Sequence, residues 1–167
     1  MSRLSYPTPE EIRVSLAEYP KLREKDLAQK LGIPEAQLIA AQVGSGATRI
    51  EANPNRLIPA VCTFGEVMAL TRTGDCVHEK VGTYGHYHPG KHAAMTLSKH
   101  IDLRLDTIAE VWAVNKPTAR GPAVSVEAFD VLGGLIFQVF GVGKEGRNTR
   151  AQWGELVETL ADLKVAA

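Results

Sequence analysis

The chain has 167 residues, 44% of them apolar and 23% charged, which is the composition of a folded globular chain and excludes a disordered one. Its 19 lysines and arginines balance 19 aspartates and glutamates, so no broad electrostatic pull toward nucleic acid or anionic lipid is expected. No apolar run is long enough for stable membrane insertion, and the opening MSRLSYPTPEE lacks the apolar centre of a signal peptide. We therefore expect one cytoplasmic domain over residues 1–167. The two cysteines, Cys62 and Cys76, provide neither a disulfide framework nor a CxxC zinc spacing, and a buried structural thiol is the default reading of each.

Helix signals come first. Thr8 reads as an N-cap with Pro9 in the first turn and Glu11 three residues after the cap; Ile12, Leu16 and Tyr19 form one apolar stripe, and Pro20 stops the helix. A second helix through REKDLAQKL should end near Gly32, and a third, opened by Pro34, should run through PEAQLIAAQV and end before Gly44. The segment TRI (48–50) reads as a short strand, and residues 55–64 as helical or irregular.

The centre reads as strands. EVMALTR and CVHEKVG flank the turn Thr73–Gly74–Asp75, and AAMTL, IDLRL, IAEVWAVN, AVSVEAF and LIFQVFG follow, the last two around the turn Asp130–Gly134. Long crossover helices are missing, so the strands should pair antiparallel. In the final helix Trp153, Leu156, Val157 and Leu160 share a face, with Thr149 and Gln152 as a capping box. The fold class is α+β: a mostly antiparallel sheet flanked by N-terminal helices and a C-terminal helix.

Five histidines fall within this centre: His78, His86, His88, His92 and His100. GTYGHYHPGKH brings three of them together, and imidazole nitrogen is a ligand for iron, copper, nickel or zinc. His86, His88 and His92 are thus candidate metal ligands, set against solvated or edge-strand histidines. Arg104 in IDLRLD offers a forked donor for a carboxylate, or for Asp102 or Asp106. Lys116 and Arg120 flank a proline-bearing turn and suit an acidic ligand group or a solvated loop. Trp112 reads as core. KDLAQKLGIPEAQLIA has a helix-turn-helix outline, yet its second helix has no basic residue, and residues 1–60 hold eight basic against seven acidic side chains. Packing therefore outweighs DNA reading. No nucleotide loop or nucleophile elbow is present.

Four segments together resemble the bacterial haem-utilisation family that includes HemS, ChuS, ChuX and HutX. They are REKDLAQKLGIPEAQLIAAQVG, VHEKVGTYGHYHPGKHAAMTL, IDLRLDTIAEVWAVNKPTARG and VSVEAFDVLGGLIFQVFG, and Trp153 in AQWGELVETL extends the likeness. The resemblance implies cytosolic binding of haem, with haem b as the cofactor, and its transfer or storage between a donor and a recipient protein. A haem-degrading oxygenase-like activity and a non-haem ligand-binding or structural homodimer are the alternatives. It also implies a homodimer, since two-repeat relatives look like a covalent pair of such units. Arg104 matches the family arginine of the DLRL segment on the haem side, and His92 matches a histidine of the GKHAAM-like segment. Lys116 and Arg120 belong to a family-like strand and loop and are further candidates for haem contact, without assignment to a propionate. The iron-binding histidine of two-repeat members lies near the start of their second repeat. The corresponding stretch here, TPEEIRVSLAEYP, has none, which leaves His86, His88 or His92 to replace it.

Overall fold

A computed structural model describes residues 5–63, 65–73, 76–83, 87–88, 94–98, 101–116, 123–141 and 146–160; for 73, 87–88, 94–98, 101–104, 116, 141, 146–150 and 152 it describes the backbone alone. The first helix, α1 (Pro9–Glu18), opens as the sequence predicts: the Thr8 hydroxyl accepts from the Glu11 amide, and the Glu11 carboxylate accepts from the Thr8 amide. Helix α2 (Glu24–Leu31) ends at Gly32 with φ +66°, the left-handed cap that glycine adopts without strain. Helix α3 (Glu35–Ala40) stops earlier than expected, and a chain of turns carries residues 41–46 into strand β1 (Ala47–Ile50). Ile12, Leu27, Ala28, Ile33, Leu38 and Ala41 give these three helices a small core of their own, so the helix-turn-helix outline is a packing device.

Beyond β1 come α4 (Pro54–Cys62), β2 (Glu66–Thr73), β3 (Cys76–Thr83), β4 (Tyr87–His88), β5 (Ala94–Ser98), β6 (Ile101–Arg104), β7 (Glu110–Lys116), β8 (Ala123–Phe129), β9 (Leu135–Gly141) and α5 (Gly146–Leu160). The strands form two sheets where the sequence suggested one. Six strands pair in the order β1-β7-β8-β9-β2-β3 and three in the order β4-β5-β6, every pairing antiparallel. Helix α5 begins at Gly146, so Thr149 lies inside it and the expected Thr149–Gln152 capping box is not its start. Backbone helix hydrogen bonding reaches a turn further back than the side-chain signal.

The central strands of the larger sheet are covered on both faces. On one, Val111, Ala113, Val126, Ala128, Phe137 and Val139 meet α4 and α5 through Leu57, Ile58, Val61, Leu156 and Leu160. Leu105, directly after β6, is wholly buried in this same core and ties the smaller sheet to it. On the other face Trp112, Val114 and Phe129 pack against Ala36 and Ile39 of α3, as expected of Trp112. Complete burial of one such side chain contributes about 1.5–3 kcal/mol.

The α3 face also buries polar groups. Glu127 is 1% exposed and accepts hydrogen bonds from the Ser125 hydroxyl (3.0 Å) and from the Gln138 amide. Beside them Arg72 of β2 grips Glu35 of α3 with two parallel bonds of 2.5 and 2.6 Å, both side chains being about 15% exposed. The bond to Glu35 raises the Arg72 pKa; burial opposes the rise, and the charges of Glu35, Glu127 and Glu24 add to it. A raised folded value means that this stabilisation is fully present through the neutral range and fades only far above it. The pair pins the helical unit to the strand that leads into the histidine-bearing centre.

The turn between β8 and β9 is fitted to α3 as well. Gly133 sits at φ +78°, its carbonyl accepts from the Ala36 amide, and a Cβ built there would lie 2.6 Å from the Pro34 Cβ. Gly133→Ala should therefore lower stability by about 1–3 kcal/mol. Gly154→Ala should raise it by about 0.5–1 kcal/mol, because Gly154 lies within α5 with open space around its missing Cβ. Urea midpoints that move in the same direction would contradict this. A double-mutant cycle of Arg72→Met and Glu35→Leu should give a coupling of about 1–3 kcal/mol, and one below about 0.3 kcal/mol would mean a solvated pair.

Candidate functional site

The smaller sheet brings together residues that are distant in sequence. Ala94 of β5 pairs with His88 on one side and with Arg104 on the other, so these three occupy one row across β4, β5 and β6. Neighbouring strands lie about 4.8 Å apart, which sets the His88 and Arg104 backbones about 10 Å from each other. The adjacent row is Tyr87, Met95 and Leu103. A histidine and an arginine sixteen positions apart thus share a register level, with an alanine between them that adds little bulk. The register puts two of the sequence-predicted site residues in one row.

Lys116 is the last residue of β7 and pairs with Ala123, so it sits at the end of the large sheet where the chain turns toward β8. His86, His92 and Arg120 lie outside the described residues, as does His100. The fifth histidine, His78, is exposed on β3, where the large sheet has its edge, 3.5 Å from the Cys76 sulfur. Cys76 is exposed and not a buried thiol as expected, because β3 is an edge strand and no helix covers it among the described residues. Cys62 is half-buried in α4, and burial pushes its thiol pKa up, which suits the expected inert role.

A groove of about 370 Å³ opens between α4 and α5, lined by Arg56, Pro59, Thr63, Glu155 and Thr159 among others. It contains no histidine and gathers none of the candidate residues. Sequence reasoning missed Glu35, Arg72 and Glu127. Glu35 and Arg72 are 37 positions apart, and no local pattern links them. The sole available signal was the charged Glu127 within the strongly apolar run AVSVEAF.

Comparisons with known proteins bear on the same elements. A family model described as the haemin-degrading HemS/ChuX domain matches residues 32–160, from the end of α2 to the end of α5. The hemin transport protein HmuS of Yersinia pestis is 35% identical over 127 residues, covering 74% of this chain and 37% of that protein. The crystal structure of holo-PhuS, a heme-binding protein from Pseudomonas aeruginosa, superposes with a TM-score of 0.83 at 34% identity, over 95% of this chain and 47% of that one. The heme degrading enzyme ChuS of Escherichia coli O157:H7 gives a TM-score of 0.76 at 28% identity, over 87% of this chain and 44% of that one. The chain spans less than half the length of each of these relatives.

Proposed function

Because the chain belongs to the haemin-degrading HemS/ChuX family, we propose that it binds haem as cargo in the cytoplasm and passes it between a donor and a recipient protein. The observation that carries this reading is the likeness to haem-bound PhuS, at 34% identity over 95% of the chain. Haem b is the proposed form, held without a covalent tether so that it is free to leave. Binding draws on burial of the macrocycle, while an axial histidine fixes its orientation and cationic side chains hold the propionates.

Arg104 orients an oxygen ligand or a propionate, and its row with His88 supports placing both beside the same ligand. His86, His88 and His92 are the candidates for the axial nitrogen, in place of the ligand that two-repeat relatives supply near the start of their second repeat. Lys116 and Arg120 are the candidates for the propionates. Since the chain matches 47% of PhuS, we further propose that two copies pair to form what one longer chain provides there. The whole of residues 1–167 is then one haem-binding unit of a homodimer.

Titration of the purified chain with haem should give a saturable shift of the Soret band. Arg104→Ala should weaken binding by about 10–100-fold, the equivalent of about 1.5–3 kcal/mol for a charge-assisted hydrogen bond. One of His86→Ala, His88→Ala and His92→Ala should alter the Soret position by removing the axial ligand. Unsaturable, nonspecific absorbance changes would defeat the haem reading, whereas an unchanged Arg104→Ala spectrum and affinity would defeat that assignment alone. Addition of an electron donor and oxygen, with peroxide scavenged, separates carriage from breakdown: intact haem is expected, and a defined tetrapyrrole product would replace transfer by degradation.

A further inference from the structure

We propose that Cys76 and His78 form a binding site for a divalent d-block cation of the zinc class on the exposed edge of the large sheet. The two residues alternate along β3, and the Cys76 Sγ and His78 Nε2 atoms lie 3.5 Å apart. A zinc ion with bonds of about 2.3 Å to sulfur and about 2.0–2.1 Å to nitrogen holds those atoms about 3.5 Å apart at a tetrahedral angle. The pair is therefore already spaced as one edge of a coordination tetrahedron, and no backbone movement is needed to close on the ion.

The strand keeps it so. Cys76 is in register with Thr73 and His78 with Thr71, which fixes the backbone from β2. A period of two sends both side chains to one side of the strand and Val77 to the other. Both are exposed, so a hydrated ion reaches them without passing through the core. Thiolate and imidazole select zinc, cobalt or copper over magnesium or calcium. On binding, the Cys76 S–H bond breaks, its proton leaves to solvent, and a sulfur–metal bond forms. His78 donates the Nε2 lone pair and keeps its proton on Nδ1. No electron is transferred.

Among the described residues no third histidine, cysteine or carboxylate joins the pair, so water fills the remaining positions. Lys80 follows on the same side of β3 and adds a positive charge near the ion. Both features make the site weaker and more exchangeable than a four-ligand structural zinc. An S–H···N hydrogen bond alone has the same spacing, and only metal binding distinguishes the two.

Cobalt(II) titration of the full-length chain without haem makes that distinction, with Cys62→Ser as background so that one thiol remains. The expected result is a saturable thiolate-to-cobalt charge-transfer absorption that zinc displaces, with proton release seen as a buffer-dependent heat. Cys76→Ser should abolish the band. His78→Ala should weaken cobalt binding by at least the roughly tenfold that loss of an outer-shell partner costs. A band that is absent at the start, that survives Cys76→Ser, or that is equally strong in His78→Ala overturns the proposal. Both side chains are exposed, so unchanged melting of these variants is expected and assigns any loss to the site. A chain that binds cobalt but not haem, or haem but not cobalt, tells failure of one reading from failure of the other.

Discussion

Strand β8 is buried on both faces, and the rest of the molecule is arranged to meet that condition. Val124, Val126 and Ala128 lie toward α4 and α5, while Ser125, Glu127 and Phe129 lie toward α3. An antiparallel strand with a solvated side would tolerate a serine and a glutamate there at no cost. Here the same residues are cut off from water, and a buried carboxylate is destabilising unless its oxygens are occupied. Ser125 and Gln138 supply donors, and the guanidinium of Arg72 interacts favourably with the Glu127 charge. The arrangement favours one register, because a slip of a single residue would send Glu127 into the apolar layer beneath α5.

That sandwich leaves the smaller sheet as an outgrowth of a fixed scaffold. Leu105 roots β6 in the main core, while β2 and β3 lead the chain toward β4. The candidate residues His88 and Arg104 are thereby carried on short strands that a larger, well-packed scaffold holds at one end.

The relatives extend this picture by their length. The match takes in 37% of HmuS, 47% of PhuS and 44% of ChuS, so more than half of each of those chains lies outside it. The Tyr87–Met95–Leu103 and His88–Ala94–Arg104 rows lie within the matched family region, as do the buried Glu127 and the Arg72–Glu35 clamp. Helices α1 and α2 precede the matched family region, yet they share a core with α3.

Local signals in the sequence determined the elements that depend on nearest neighbours. The Thr8–Glu11 box, the Gly32 stop, the β2–β3 hairpin and the apolar face of α5 each arise from residues within a few positions of one another, where backbone geometry acts directly. The family resemblance rested on similar short segments and placed Arg104 among candidate ligand contacts. Tertiary structure alone decided the rest. Division into two sheets, the burial of Ser125 and Glu127, the exposure of Cys76 beside His78, and the clamp from Arg72 to Glu35 all depend on which distant strands become neighbours. Alternation along a strand states that two faces differ, but it does not say which face a helix from elsewhere in the chain will cover. That choice belongs to the summed burial of the whole core, to which no single segment holds the key.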